Sequence, residues 1–152
     1  MQLSQILKPE SVITPLKGSD KDSIIEELVD VLAGSGQISD REKVLDSVMT
    51  REETRSTGIG SGIAIPHGKS SGTSELVMSV GICPAGIDFD SIDNKPVNIV
   101  LLLASPVDKT GPHIQALARI SRVMLDDELR KAIIAAKDPK EVYELITSRD
   151  SE

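Results

Sequence analysis

Aromatic side chains are nearly absent from this sequence. Its 152 residues include Phe89, Tyr143 and no tryptophan. Proteins that hold single-stranded nucleic acids stack the bases on aromatic rings, and large sugar sites often place a sugar ring against one. The sequence therefore predicts a domain that binds neither a base nor a sugar through stacking.

Cysteine is equally scarce, because Cys83 is the only one. A single cysteine excludes an intramolecular disulfide and a multi-cysteine metal site. A chain of this length buries enough surface to fold without disulfides or metals. We therefore expect one domain over residues 1–152, located in a reducing cytoplasm and lacking both metal and other cofactors.

Positive charge is in the minority. The chain has 17 Lys and Arg residues against 24 Asp and Glu residues, a formal net charge of −7. Without a basic block, we expect no nucleic-acid binding. The longest apolar run, residues 99–104, is far too short to span a bilayer. The N-terminal segment also lacks the pattern of a signal peptide, so no membrane insertion is expected.

Helix signals occupy both ends of the chain. One helix is predicted to begin after Ser19 and to end near Gly34, and a second should begin after Ser39 and end within 50–54. Three further helix starts are indicated in the C-terminal third, at Pro112, Asp126 and Asp138. The first of these helices is predicted to present one face made of Ile114, Leu117, Ala118 and Ser121.

Strand patterns lie between the two helical regions. Residues 63–65 alternate like a short strand that ends at Pro66, and residues 75–83 read as a longer one. Residues 97–104 are continuously apolar, as expected of a central strand covered on both faces. Ile87 and Phe89 supply either a short edge strand or apolar anchors. The prediction is an α/β domain with a small mixed β-sheet flanked by helices.

The glycine-rich stretch "STGIGSGIAIPHGKS", residues 56–70, fails the tests for a nucleotide loop. Five residues separate Gly62 from Gly68, whereas the phosphate loop that ends in Gly-Lys-Ser requires four. Pro66 has no N–H to offer a phosphate. The dinucleotide fingerprint G-x-G-x-x-G also fails, because an isoleucine stands at its third glycine in both possible registers. Nucleotide binding therefore stays only a remote alternative.

The same stretch presents His67. Pro66 biases the preceding residue towards an extended conformation, and Gly68 is expected to leave room beside the ring for a bulky partner. A neutral imidazole is a competent nucleophile near neutral pH. The alternative is a histidine that only caps a turn.

The second histidine, His113, falls at a predicted helix start. Backbone N–H groups and the helix dipole at that position favour the oxygens of a phosphoryl group. A polar residue in a first helical turn is also ordinary. The sequence does not show whether His67 and His113 meet in space.

These segments together resemble a known family. "REETRSTGIGSGIAIPHGKS", "FDSIDNKPVNIVLLLASP" and "HIQALARISRVM" are similar to the IIA domains of the bacterial sugar phosphotransferase system, fructose/mannitol type. The stand-alone nitrogen-regulatory IIA proteins belong to this class. The resemblance runs over nearly the whole chain, and the ordered string "STGIGSGIAIPHG" is far more specific than a bare glycine motif.

The resemblance implies a role for each candidate residue. His67 would accept a phosphoryl group from the phosphohistidine of HPr, or of a nitrogen-branch HPr paralogue. It would then pass the group to a IIB partner or use it as a signal. His113 is implied as a second active-site histidine, and Arg51 as the arginine near the phosphate. The predicted site loop comprises Ser56, Thr57, Gly58 and Gly68.

Two positions depart from the family pattern. Ser61 stands where asparagine is common, and Arg55 where a small residue is common. Both positions bear on the conformation of the loop or the choice of partner.

Phosphoryl transfer between nitrogens needs positioning and neutralisation of negative charge. Arg51 and the helix start at His113 could provide this without Mg²⁺. Asp88, Asp90 and Asp93 alternate like calcium ligands, but the later glutamate of such a loop is missing, which favours a solvated turn. No metal site is therefore predicted.

Two functions on this fold stay open besides the remote nucleotide-binding one. The first is a phosphocarrier that acts as a transferase. The second is a purely regulatory binding module whose phosphorylation state controls other proteins. The chain carries neither IIB nor IIC sequence, which favours the regulatory type.

Overall fold

A computed structural model describes residues 1–151 of the chain. Within them, six strands form one mixed sheet and five α-helices lie against it. A short 3-10 helix, Leu3–Gln5, precedes them. The elements follow in the order β1 (Leu7–Ile13), α1 (Lys21–Gly34), α2 (Arg41–Thr54), β2 (Gly58–Gly60), β3 (Ile63–Ala64), β4 (His67–Lys69), β5 (Val77–Ile87), β6 (Val97–Ser105), α3 (Thr110–Val123), α4 (Asp127–Ala135) and α5 (Pro139–Asp150).

The strands are ordered β1-β5-β6-β3-β2, and β4 also pairs with β6. β5 runs antiparallel to β6, whereas β3 and β4 run parallel to it. β3 and β4 therefore occupy successive lengths of the same edge of β6. This arrangement carries the chain along β6 until His67 lies opposite Leu103, near the end of the strand.

Strand β6 separates two apolar cores. Its side chains Ile99, Leu101 and Leu103 pack with α3, α4 and α5 on one face. The alternate side chains Val100, Leu102 and Ala104 pack with α1 and α2 on the other. The continuously apolar sequence is thus a strand buried on both faces, because alternate residues of a strand point to opposite faces. The predicted fold class is confirmed.

Aspartates cap four of the helices. The carboxylates of Asp20, Asp40 and Asp138 each accept a hydrogen bond from the backbone N–H three residues later. Asp126 accepts from the two N–H groups at the start of α4. Each cap satisfies donors that a helix start leaves free. Within residues 1–151, no helix combines the length and the apolar character needed to cross a bilayer.

The structure adds three strands that the sequence pattern does not predict, β2, β4 and the longer β1. β1 pairs in parallel with β5 and forms an edge of the sheet. Its middle residues, Lys8, Pro9 and Glu10, are exposed, so the alternation that signals a strand is lost. Proline is tolerated there because an edge strand does not need every N–H for pairing.

The predicted face of α3 is wrong at Ile114, which is 60% exposed. The helix instead buries His113, Ala116 and Ile120. These positions are spaced by three and four residues and form one helical face. The imidazole of His113 is therefore part of the buried face of the helix.

Candidate active site

His67 begins β4 and is half-buried. Its Nδ1 lies 2.8 Å from the backbone carbonyl oxygen of Ile65. A carbonyl oxygen only accepts hydrogen bonds, so Nδ1 carries the proton and donates it. In the neutral ring, Nε2 then holds the lone pair. The backbone two residues earlier thus leaves Nε2 as the nitrogen of His67 with a free lone pair.

The two histidines meet in the structure, 46 positions apart in the sequence. Their ring centroids are 5.5 Å apart, with an angle of 56° between the ring planes. The pairing of β4 with the end of β6 sets this arrangement, because α3 follows β6 within a few residues. The sequence predicts the two histidines in separate segments, and the pairing of strands in the sheet brings their rings together.

His113 is the fourth residue of α3, not its first. Its N–H donates to the carbonyl of Lys109 at 3.0 Å, and Pro112 has no N–H. Two of the N–H groups that the sequence pattern offered to an anion are therefore unavailable. Of the three residues that precede His113 in the helix, only Thr110 and Gly111 have an N–H to offer, so an anion here depends more on side chains than the sequence suggested.

Both imidazoles are held neutral at pH 7. Burial lowers the pKa of His67 below its ordinary 6.5; the Ile65 carbonyl opposes this effect, and Arg51 adds to it. Burial is also the largest cause at His113, where His67 and Lys69 contribute and the pKa falls to about 4. Neutral His67 keeps its Nε2 lone pair, and neutral His113 has one N–H to donate.

Two cationic side chains lie at the histidine pair. Arg51, in the last turn of α2, influences the pKa of His67, and its Nη1 donates to the carbonyl of Arg55 at 2.8 Å. The Nζ of Lys69 donates to Thr110 Oγ1, 3.2 Å away, at the start of α3. Lys69 is not among the predicted site residues, although it follows His67 by only two positions in the sequence.

A buried carboxylate supports the loop before β2. Glu52 is 5% exposed and accepts hydrogen bonds from both the N–H (2.9 Å) and the hydroxyl of Thr57. The Nζ of Lys21 lies 2.9 Å from Oε2 of Glu52, the oxygen that also accepts from the Thr57 N–H. The Thr57 carbonyl in turn accepts from the N–H of Ile65 at 3.0 Å. Glu52 thus connects α1 and α2 to the backbone that sets the proton of His67.

The predicted loop residues stabilise the backbone conformation of the loop. The Ser56 hydroxyl donates to the carbonyl of Phe89 and accepts from the N–H of Gly58. A side chain on Gly58 would collide with Ser91, because an added Cβ would lie 2.3 Å from its Oγ. Among the contacts described for residues 1–151, none joins these loop side chains to either imidazole.

The reason for glycine at position 68 differs from the expected one. Gly68 is buried against α2, and an added Cβ would lie 2.5 Å from Ser47 Oγ and 2.9 Å from the backbone nitrogen of Val48. The space beside Gly68 is therefore filled by the protein's own helix and does not receive a partner. The close approach of β4 to α2 requires glycine here.

Gly68→Ala is expected to lower the free energy of unfolding by about 1–3 kcal/mol, the usual range for overpacking against rigid backbone. Denaturant unfolding measures it. Gly34→Ala is the matched control, since nothing lies within 4 Å of a Cβ at the end of α1, and it should be neutral or slightly stabilising. Equal stability of Gly68→Ala and the unaltered protein would contradict the packing described here.

The chain is similar to sugar-transport and nitrogen-regulatory proteins. It matches the family model "Phosphoenolpyruvate-dependent sugar phosphotransferase system, EIIA 2" over residues 5–149. The fructose-specific EIIA component of Haloferax volcanii is 31% identical, covering 90% of this chain and 93% of that protein. The nitrogen regulatory protein of Klebsiella oxytoca is 33% identical, covering 99% and 93%. A fructose-specific EIIABC component of Bacillus subtilis is 29% identical, and the match spans 24% of its length.

Solved structures share the fold. The nitrogen regulatory protein IIA-Ntr of Neisseria meningitidis superposes with a TM-score of 0.83 at 24% identity, covering 95% of this chain and 99% of that one. Mannitol IIA of Escherichia coli, in complex with phosphorylated mannitol IIB, gives a TM-score of 0.81 at 20% identity, covering 94% and 99%. At these identities the likeness establishes the α/β architecture alone.

The family match covers nearly the whole chain and includes both histidines, and its members share this sheet and these helices. The resemblance read from "STGIGSGIAIPHG" is confirmed. The chain belongs to the EIIA type 2 family of the phosphoenolpyruvate-dependent sugar phosphotransferase system, and is a domain of a phosphotransferase pathway.

Proposed function

We propose that this protein is a phosphocarrier that accepts a phosphoryl group on Nε2 of His67. The observation that carries the proposal is the hydrogen bond from His67 Nδ1 to the Ile65 carbonyl, which leaves Nε2 as the nucleophile beside His113. The donor is the phosphohistidine of HPr or of a nitrogen-branch HPr paralogue, in the cytoplasm.

The transfer balances without a cofactor. The Nε2 lone pair of His67 attacks the phosphorus in line with the nitrogen of the donor. A new N–P bond forms, and the electrons of the broken N–P bond return to the donor imidazole. The Nδ1 proton stays on His67, and the Ile65 carbonyl stabilises the positive charge that the ring gains.

Fixed charges and donors offset the negative charge on the phosphoryl oxygens. Arg51 contributes positive charge near His67 and Lys69 contributes it near His113. The neutral His113 contributes an N–H. Such groups accelerate transfer because they are already oriented before the transition state forms.

The relatives favour two uses of the same chemistry downstream. Proteins named fructose-specific EIIA support transfer onward to a IIB partner, as does the complex of mannitol IIA with phosphorylated IIB. Relatives named nitrogen regulatory protein support the second use, in which phosphorylated and unphosphorylated His67 select different protein partners.

Labelling tests the proposal directly. Incubated with enzyme I, HPr and phosphoenolpyruvate, the protein should gain one phosphoryl group that is labile in acid and stable in base. Mass spectrometry should locate the group on His67, and NMR of the labelled ring should locate it on Nε2. The mixture without HPr is the control. A label on Ser56, Thr57 or His113 instead would overturn the proposal.

A further inference from the structure

A buried hydroxyl stands behind the second histidine. Ser105, the last residue of β6, is fully buried, and its Oγ lies 2.7 Å from Nδ1 of His113. His113 itself is 6% exposed. Within residues 1–151, the hydroxyl of Ser105 makes no hydrogen bond other than this one.

The burial of Ser105 decides which atom donates. If His113 donated from Nδ1, the hydroxyl hydrogen of Ser105 would be buried without an acceptor, which is costly. If the hydroxyl donates to Nδ1, both groups are satisfied. A neutral imidazole carries a single N–H, and the pKa of about 4 keeps His113 neutral at pH 7. Its proton is then on Nε2.

We propose that Ser105 is a positioning residue: its hydroxyl holds His113 with the proton on Nε2, so that this N–H donates to the phosphoryl group on His67. The inference rests on the proposed function. The proposal gives the two imidazole rings opposite tautomers. The Ile65 carbonyl keeps Nε2 of His67 bare for attack, whereas the Ser105 hydroxyl keeps Nε2 of His113 protonated for donation.

The backbone of Ser105 connects the two rings. Ser105 is the register partner of Lys69 in β4, and its carbonyl accepts from the N–H of Ser70 at 2.8 Å. The strand that begins with His67 is therefore paired with the residue that orients His113. The opposite tautomer would direct the Nε2 lone pair towards the phosphoryl oxygens and repel them, so the tautomer matters for transfer.

Nitrogen-15 NMR of the imidazole rings in the unphosphorylated protein tests the tautomer without any transfer reaction. We expect His113 to show a protonated Nε2 and a bare Nδ1, and His67 to show the reverse. A wild-type His113 with the proton on Nδ1 would overturn the proposal by itself, whatever the transfer rates are.

Ser105→Ala tests the consequence. We expect the Nδ1–H form of His113 to become detectable and transfer from HPr to slow about tenfold, less than the loss of a whole preorganised donor. Ser105→Thr, which keeps the hydroxyl, should recover the wild-type tautomer. The control is Ser79→Ala, another fully buried strand serine, whose hydroxyl donates to the Leu28 carbonyl at 3.0 Å. It should change neither readout.

A Ser105→Ala protein with the wild-type tautomer and the wild-type rate would refute the positioning role. Failure of the proposed function has a different signature. In that case wild-type His67 would take no label, which would also remove the role of the His113 N–H towards phosphate. The two tautomers would still appear as described.

Discussion

Replacing His67 with alanine is expected to abolish phosphoryl labelling completely. In the proposed mechanism Nε2 of His67 forms the N–P bond. The proposed proton on Nε2 of His113 and the hydrogen bond of its Nδ1 with Ser105 leave that ring no free lone pair to replace it. Labelling with enzyme I, HPr and phosphoenolpyruvate, followed by intact-mass measurement, gives the answer.

Unfolding must be excluded as the cause of that loss. His67 is half-buried and its ring makes one hydrogen bond to backbone, so His67→Ala should change the free energy of unfolding by only about 1 kcal/mol. Circular dichroism and denaturant unfolding provide the check. A folded His67→Ala protein that still accepts one acid-labile phosphoryl group would show that His67 is not the acceptor.

Replacing His113 with alanine should slow transfer from HPr by about 10- to 1,000-fold, the scale seen when one preorganised donor is lost. His113 contributes its N–H to the phosphoryl group without carrying the group, so labelling slows but still reaches His67. Rapid-quench measurement of the transfer rate distinguishes this result from the complete loss expected for His67→Ala.

His113→Ala is expected to destabilise the protein, because the ring is more buried than a residue at a helix start usually is. For a histidine at a helix start near the protein surface, alanine is expected to change stability little. The structure buries His113 at 6% exposure, against the hydroxyl of Ser105. Removing the ring leaves that hydroxyl without a partner, and we expect a loss of about 1–3 kcal/mol.

His113→Gln is the matched variant, since its side-chain amide keeps an N–H donor at a similar reach. Transfer should be faster in His113→Gln than in His113→Ala when both are measured under conditions where both are folded. Wild-type transfer in His113→Ala, or unfolding of both variants, would make His113 a structural residue.

Local sequence determined the elements that local physics controls. Asp126 and Asp138 cap helices as the sequence pattern indicates, because a cap is made by residues two or three apart. The first two helices are capped by Asp20 and Asp40, one residue after the predicted starts at Ser19 and Ser39. The double-faced burial of residues 97–104 follows from composition alone, since a wholly apolar strand needs cover on both sides. The string around His67 also identified the family, because its order is specific.

Local sequence did not predict β1 or the buried face of α3, because both depend on tertiary contacts. β1 contains Pro9 among exposed residues, and it is a strand because β5 pairs with it. The buried face of α3 runs through His113, not Ile114, because the helix is rotated to place that ring against Ser105. Both depend on neighbours distant in the sequence.

The sequence by itself determined that Pro66 and Gly68 constrain the backbone on either side of His67 and that His113 lies near a helix start. Only the tertiary structure decided that the ring centroids lie 5.5 Å apart, and that the Nδ1 atoms face the Ile65 carbonyl and the Ser105 hydroxyl. The tertiary structure also shows why position 68 requires glycine: α2 lies too close to leave room for a side chain. The physical cause is the pairing of β4 with β6, which brings together residues that are too far apart in the chain for any local pattern to connect.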